Sequence, residues 1–328
     1  MSTAASELIV VHADPLCAES PLELQEGIIT PTPRFYVRNN FPIPRPPTRL
    51  TITGALAAPQ TLNLHALRRL PRRRLTVTLE CAGNGRAFVH PAVPGEPWKL
   101  GAVSTAEWEG VPLAAVLQRA RPLSQAVEVL FIGADGFARS LPMEQARDDD
   151  VLIVDTMNGT PLTHGHGAPI RLLVPGWYGM ASVKWLERIE ALRTPFRGHF
   201  QVERYVIGDQ PVRDIQPRAI VLHPSDDAQV PLIRQSVRGL AWAGIARISS
   251  VSISDDAGAS WAEARLIGIS QKYAWTEWEA TWQPRAAGQA ILMARAVDCD
   301  GRQQPLQPVW NALGYANNGV LPVRVAVG

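Results

Sequence analysis

The chain is expected to fold as an α+β protein with two domains, a mixed α/β domain over residues 1–207 and an all-β sandwich over 208–328. Three observations lead there. Up to about residue 200 the sequence mixes short strand patterns, one clear helical pattern and proline-rich loops. From about residue 215 helical periodicity disappears and short alternating runs separated by turn residues take over. Six of the ten tryptophans, Trp242, Trp261, Trp275, Trp278, Trp282 and Trp310, fall in that second region, as expected of a sandwich filled by large rings.

Taken along the chain, "FPIPRPPTRL" at 41–50 is a loop, because its prolines lack the N–H donors that a central strand or a helix interior needs. The run "RRLPRRRL" at 68–75 reads as a solvated, basic loop face. Residues 75–80 alternate Leu75, Val77 and Leu79 with Thr76, Thr78 and Glu80, the period of a half-buried strand, which stops abruptly at Cys81. Gly83 and Gly85 bracket Asn84 and permit a tight turn that presses against something bulky. In "GVPLAAVLQRA", Leu113, Val116, Leu117 and Ala120 recur at helical spacing with Pro112 fitted to the first turn. "GDQPVRDIQPR" at 208–218 is the expected linker, and "ISSVSISDDAGASWAEARL" and "QAILMARAVDCDGRQQP" are strand-and-turn stretches of the sandwich. Trp275, Trp278 and Trp282 suit core and interface filling better than a ligand platform.

Composition narrows the function classes. A chain of 328 residues that is 46% hydrophobic and 19% charged is ordinary for a globular protein, and a net charge of +2 argues against a nucleic-acid partner. Twenty-nine arginines stand against three lysines, so Lys184 is an unusual residue in its surroundings. Cys17, Cys81 and Cys299 are too few and too scattered for a disulfide framework, and none forms a CxxC pair. The first thirty residues show no basic segment followed by an apolar stretch, and no run of 18 apolar residues occurs. The expectation is a cytoplasmic protein with no membrane partner, or a periplasmic one if a leader has been removed.

The chemistry-bearing residues gather beside Gly and Pro: "FYVRNNFPIP" at 35–44, "HGHGAPIRLLVPG" at 164–176, "MASVKWL" at 180–186 and "GHFQVERY" at 198–205. Arg, His, Lys and Tyr in such loops are what a site for an anionic ligand uses. Cys81 with Arg86 nearby suits a nucleophile, a metal ligand or a small buried hydrophobe. His164 and His166, two apart, would share one face of a strand, where zinc ligation is conceivable although no third ligand is at hand. Arg38 and Arg86 suit surface ion pairs as well as an anion site.

These segments resemble the sulfite oxidase family of molybdenum enzymes, which includes assimilatory nitrate reductases. The match runs through "ECAGNGR", "WKLGAVSTAEWEGVPLAAVL" and "MNGTPLTHGHGAPIRLLVPGWYGMASVKWL", and extends from "FYVRNN" to "VWNALGYANN". The resemblance implies a molybdopterin-binding domain, an immunoglobulin-like dimerisation sandwich and hence a homodimer. It implies a molybdenum–molybdopterin cofactor with Cys81 as the protein's metal ligand, a soft sulfur donor suited to such a metal. By position in the motifs, Tyr36, Val37, Arg38, Asn39, Asn40, Asp135, Ser140, His166, Arg171, Ser182, Val183 and Lys184 make the cofactor-binding set together with Cys81. Asp135 would accept from pterin N–H groups, its plain alternative being an Asp-Gly turn. Gly83 and Gly85 would let the chain pass close to the metal.

For the reaction, the resemblance implies Cys81, Arg38, Arg86, Tyr205 and Trp98 as the catalytic group, with the two arginines drawing in a small oxyanion. Oxygen-atom transfer on sulfite, with electrons passed to a separate acceptor such as a soluble cytochrome, is the expected activity. A reductase of nitrate or an S-oxide is the alternative within the class, and a non-catalytic molybdopterin-fold carrier the alternative outside it. Three departures stand out. Leu313, in "WNALGY", takes the place of a third anion-binding arginine, Asn40 that of a histidine, and no CxxCH suggests a haem.

Overall fold

The computed structural model describes residues 8–328, so the portion of the leader expectation that concerns residues 1–7 lies outside the described residues. The chain is mostly sheet with few helices. Among the described residues the longest helix is Leu113–Ala120, and the other α-helices, Leu64–Arg68, Met143–Ala146 and His199–Val202, span one turn or little more. None is long and apolar enough to cross a membrane.

The helix Leu113–Ala120 forms as its spacing predicts. Leu113, Val116, Leu117 and Ala120 are its buried residues, while Pro112 sits at the N-cap rather than inside the first turn. Arg121 ends it in the left-handed conformation, donating its N–H to the Leu117 carbonyl.

In the N-terminal region, the strand Arg73–Glu80 pairs antiparallel with Val103–Pro112 over its whole length. That second strand continues to Leu152–Met157, which also carries Thr160–Pro161 and Arg171–Leu173. Another five-stranded sheet runs in the order Gln60–Asn63, Arg49–Gly54, Leu186–Leu192, Glu128–Gly133, Ala138–Pro142, with Arg49–Gly54 and Leu186–Leu192 parallel. Three short strands, Ile9–His12, Cys17–Glu19 and Val37–Arg38, make a third sheet.

In the C-terminal region a single hydrogen-bonded path links eight strands: Arg218–His223, Gln235–Trp242, Thr276–Trp282, Ala262–Ile267, Ile248–Ser254, Gly288–Asp298, Val323–Val327 and Ala228–Val230. Strand Arg218–His223 packs on Gly288–Asp298, several places away along the path, so the strands close around one apolar core. Trp278, Trp282, Val251, Ala296 and Val325 belong to that core. The pairing is antiparallel apart from Ala228–Val230 with Val323–Val327, which is parallel.

Four expectations change. The last four residues of the strand ending at Glu80 are buried on both faces, because Thr78 and Glu80 point into polar pairs rather than to water. The basic run 68–75 is the end of one helix and the start of that strand, its charges matched by Arg68 and Arg72 on Asp155, Arg73 on Asp150, and Arg72 and Arg74 on Glu109. His164–His166 is a 3-10 turn, so the two rings do not share a strand face. The segment 208–218 is no free tether. Val212 and Ile215 are buried, and Ile215 donates its N–H to the Gly176 carbonyl at 3.0 Å.

The two regions share a core. Val116, Leu117, Ile153 and Ile189 belong to the same apolar cluster as Ile220, Leu240, Trp242 and Trp275. Leu117→Ala is therefore expected to lower unfolding free energy by about 2–5 kcal/mol, through lost transfer energy plus a cavity. Urea titration of the variant checks this, and a loss below about 1 kcal/mol would contradict the packing.

Candidate active site

Cys81 follows directly on the strand Arg73–Glu80 and donates its backbone N–H to the Ala102 carbonyl at 2.8 Å. The turn after it is closed by Asn84 N–H to the Cys81 carbonyl at 2.9 Å and by Gly85 N–H to the Lys99 carbonyl at 2.6 Å. Gly85 has a φ of +85°, a conformation that favours glycine. A Cβ at Gly83 would come within 2.5 Å of the Arg86 guanidinium, and one at Gly85 within 2.8 Å of Arg218 Nη2. These glycines make room for two arginine side chains of the protein itself.

The carboxylate of Glu80, one residue before Cys81, sets the position of this turn. It is buried, and it accepts from Asn84 Nδ2 at 2.9 Å, Trp242 Nε1 at 2.9 Å and Arg218 Nη1 at 3.3 Å. Burial pushes the Glu80 carboxyl up, and Arg218 with the two other donors pulls it back.

Two clefts meet at Cys81. The first is lined by Tyr36, Val37, Arg38, Asn39, Asn40, Asp135, His166, Arg171, Ser182, Val183 and Lys184, with Phe35, Phe137, Gly179 and Met180. The structure therefore gathers in one place every cofactor-binding candidate except Ser140. That residue lies buried on strand Ala138–Pro142, its N–H directed at Gln201 Oε1 at 3.4 Å and its hydroxyl without a partner among the described residues.

Three cations face this cleft. Arg171 donates to the Ser182 carbonyl at 2.8 Å and the His166 carbonyl at 3.2 Å, and Lys184 donates to the Gly165 carbonyl at 2.9 Å and to Asn39 Oδ1. Neither has a carboxylate at ion-pair distance among the described residues. Burial pulls Lys184 well below the usual amine range and Arg171 down to about 10. Burial also works against the charge on Arg38, yet Tyr205, Cys81, Cys17 and Glu96 hold it above its ordinary value. Asp135 faces the cleft while its Oδ1 accepts from the Phe137 N–H at 3.0 Å, so it makes the plain turn and lines the site at once.

The second cleft is lined by Arg38, Cys81, Arg86, Trp98 and Tyr205, the whole expected catalytic group, together with Asn40, Glu96, His199, Phe200, Arg204 and Tyr315. Arg86 donates Nε to the Leu313 carbonyl at 3.1 Å and Nη1 to the Glu96 carbonyl at 2.9 Å, with its guanidinium 5.2 Å from the centre of the Tyr315 ring. Tyr205 has a φ of +55°, stacks on Tyr315 with centroids 5.2 Å apart, and places its hydroxyl 3.4 Å from Asn40. Trp98 is buried and its indole N–H has no partner among the described residues. Burial pushes the Cys81 thiol up, against Arg38 and Arg86, which favour the thiolate.

Sequence reasoning missed Arg204, His199, Glu96 and Tyr315. Arg204 was in view, inside "HFQVERY", but only its neighbour Tyr205 carried a motif. Tyr315 was also in view, inside "WNALGY", where only Leu313 was singled out, whereas Glu96 had no local signal.

Two family profiles match, "Oxidoreductase molybdopterin binding domain" over residues 40–200 and "Mo-co oxidoreductase dimerisation domain" over residues 209–327. The chain belongs to the sulfite oxidase family of molybdopterin oxidoreductases. It is 35% identical to the mitochondrial sulfite oxidase of Mus musculus over 95% of this chain, and spans 64% of that relative's length. It is 31% identical to the sulfite oxidase of Arabidopsis thaliana, over 96% of this chain and 93% of that one. Its fold matches the sulfane dehydrogenase SoxCD of Paracoccus pantotrophus with a TM-score of 0.86 and 27% identity, over 99% of this chain and 85% of that one.

The residues present fit a molybdopterin. Buried cations without a carboxylate beside them call for an anionic group, Asn39 Nδ2 lacks a partner among the described residues, and a single thiol stands where the two clefts join.

Arg218→Met leaves the buried Glu80 charge unpaired and should cost about 3–5 kcal/mol, with some of the loss recovered in the Glu80→Gln/Arg218→Met double variant. Denaturant titration of both checks this, and equal losses would mean that the two groups are not coupled. His166 is lowered to about 3, first by burial and then by Lys184 and Arg171. Because the unfolded chain takes up that proton near pH 6.5, the stability is fully present above that pH. It falls as pH drops from about 6.5 toward 3, by up to about 1.4 kcal/mol per unit. His166→Asn should flatten this acid limb, and an unchanged stability profile would exclude the group.

Proposed function

We propose that the protein is a sulfite oxidase-like enzyme that transfers an oxygen atom to a small sulfur oxyanion, sulfite to sulfate, and passes two electrons to a separate acceptor such as a soluble cytochrome. The observation that carries this reading is the meeting of two clefts at one thiol. One is lined by cations suited to a buried anionic cofactor, the other by cations suited to a small anionic substrate. When bound, the molybdenum–molybdopterin group would supply the two-electron oxygen-atom chemistry, with Cys81 as its protein ligand.

The chain's own role is binding and orientation. Asn39, His166, Arg171, Ser182 and Lys184 would hold the cofactor, and an anion beside Lys184 and Arg171 would offset the burial that works against their charged forms. Arg38 and Arg86 would draw in the substrate, Tyr205 would orient it, and Trp98 would wall the cleft.

Arg86 is partly committed to carbonyls, and Leu313 offers it only a backbone oxygen. Arg204, on the wall of the same cleft and with no ion pair among the described residues, would make up for the charge missing at Leu313. The domain division at 207/208, an immunoglobulin-like sandwich beyond it and a homodimer through that sandwich complete the reading. The description of the profile matched by residues 209–327 supports the dimer.

Steady-state oxidation of sulfite with ferricyanide tests it. Cys81→Ser should abolish turnover and molybdenum retention together. Arg86→Gln and Arg204→Gln should each raise KM about tenfold, with kcat changed far less, as loss of anion attraction requires. Identical sulfite kinetics in wild type and both arginine variants would remove the anion cleft from the reading. Sedimentation of the full chain should give twice the chain mass, and a monomer would exclude the dimer.

A further inference from the structure

We propose that His12, Cys17 and Glu96 form a second metal site, suited to zinc or a divalent cation of similar size and softness. One nitrogen, one sulfur and one oxygen from these side chains all lie within 4.8 Å of one another. It is the sole grouping of this kind among the described residues. His12 Nδ1 stands 3.5 Å from Glu96 Oε1. In a tetrahedral zinc site, bonds of about 2.0–2.3 Å put ligand atoms about 3.3–3.8 Å apart, so this pair already has ligand spacing.

The fold brings the three together from separate segments. Cys17 pairs across from His12 in the sheet of Ile9–His12 with Cys17–Glu19, where the register shifts between Val10 and His12. Glu96 comes from the loop after the Cys81 turn, which Arg86 holds through the Glu96 carbonyl at 2.9 Å. The thiol is fully buried, whereas His12 and Glu96 keep 49% and 24% of their side chains exposed. A cation would therefore bind at the end of a dry sulfur and keep one position open to water. Thiolate, imidazole and carboxylate together are a set that zinc accepts and that magnesium or calcium, which prefer oxygen, does not.

The plain alternative is a His–Glu ion pair beside a thiol that donates to the Asn39 carbonyl at 3.6 Å. Burial pushes the Cys17 thiol up, and Arg38 Nη1, 3.7 Å from its Sγ, works against that and can remain the sulfur's donor when it is ligated. Binding moves no electrons. The Cys17 thiol gives up its proton to solvent, sulfur bonds the cation, and the site gains one net positive charge. Because Glu96 also lines the second cleft, that charge would strengthen anion attraction beside Arg38. This consequence rests on the proposed sulfite chemistry, whereas binding of the cation does not.

Titration of the full-length protein with Co²⁺, read as a difference spectrum, decides the matter without reference to turnover. A near-ultraviolet thiolate-to-cobalt band saturating at about one equivalent, and reversed by Zn²⁺, is expected. It should persist in Cys81→Ser and Cys299→Ser, vanish in Cys17→Ser, and need at least about tenfold more Co²⁺ in His12→Ala and Glu96→Gln. Should Cys17→Ser not fold, the latter two variants, at side chains that keep contact with solvent, decide alone. Absence of the band up to about millimolar Co²⁺, its loss in Cys81→Ser or Cys299→Ser, or unchanged affinity in His12→Ala would overturn the site.

Discussion

Everything around Cys81 depends on one buried carboxylate. Glu80 ends its strand in a place that water does not reach, and a charge there is tolerable only with donors on every side. Asn84 provides one from the turn itself, and Arg218 and Trp242 provide two from the C-terminal region. The thiol is the next residue. Its position is thus set by strands that begin more than a hundred residues later, and the C-terminal region is a wall of the site as well as a unit with its own core.

A second constraint is the balance of charge. Arg38, Arg171 and Lys184 face one cleft, and no carboxylate at ion-pair distance from Arg171 or Lys184 occurs among the described residues. Burial works against the charged form of both, a cost that an anionic occupant would relieve. Arg86 behaves in the opposite way. It ties Glu96 and Leu313 together, stacks on Tyr315 and still borders the cleft, so positioning and anion attraction reside in one guanidinium.

Backbone geometry contributes in a less visible way. Tyr205 is held at positive φ between the turn after His199–Val202 and the ring of Tyr315. That conformation turns its hydroxyl toward Asn40 and leaves Arg204, the adjacent residue, on the wall of the same cleft. Two neighbours in sequence thereby serve one cavity, although successive residues of a regular strand would face opposite sides.

The sequence by itself determined what local periodicity and residue rarity encode. The buried stripe Leu113, Val116, Leu117 and Ala120, the strand that stops at Cys81, the scarcity of lysine that singles out Lys184, and the motifs from Tyr36 to Lys184 were all legible without coordinates. Only the tertiary structure decided that Thr78 and Glu80 are buried, that the glycines at 83 and 85 shelter arginine side chains, that Ser140 stands apart from the cleft, and that Arg204, Tyr315 and Glu96 border it. The reason is physical. Helical and strand periods depend on neighbours a few residues away, whereas Arg218 and Trp242 on Glu80, and Leu313 and Tyr315 on Arg86, come from segments more than a hundred residues away, and packing alone brings those together.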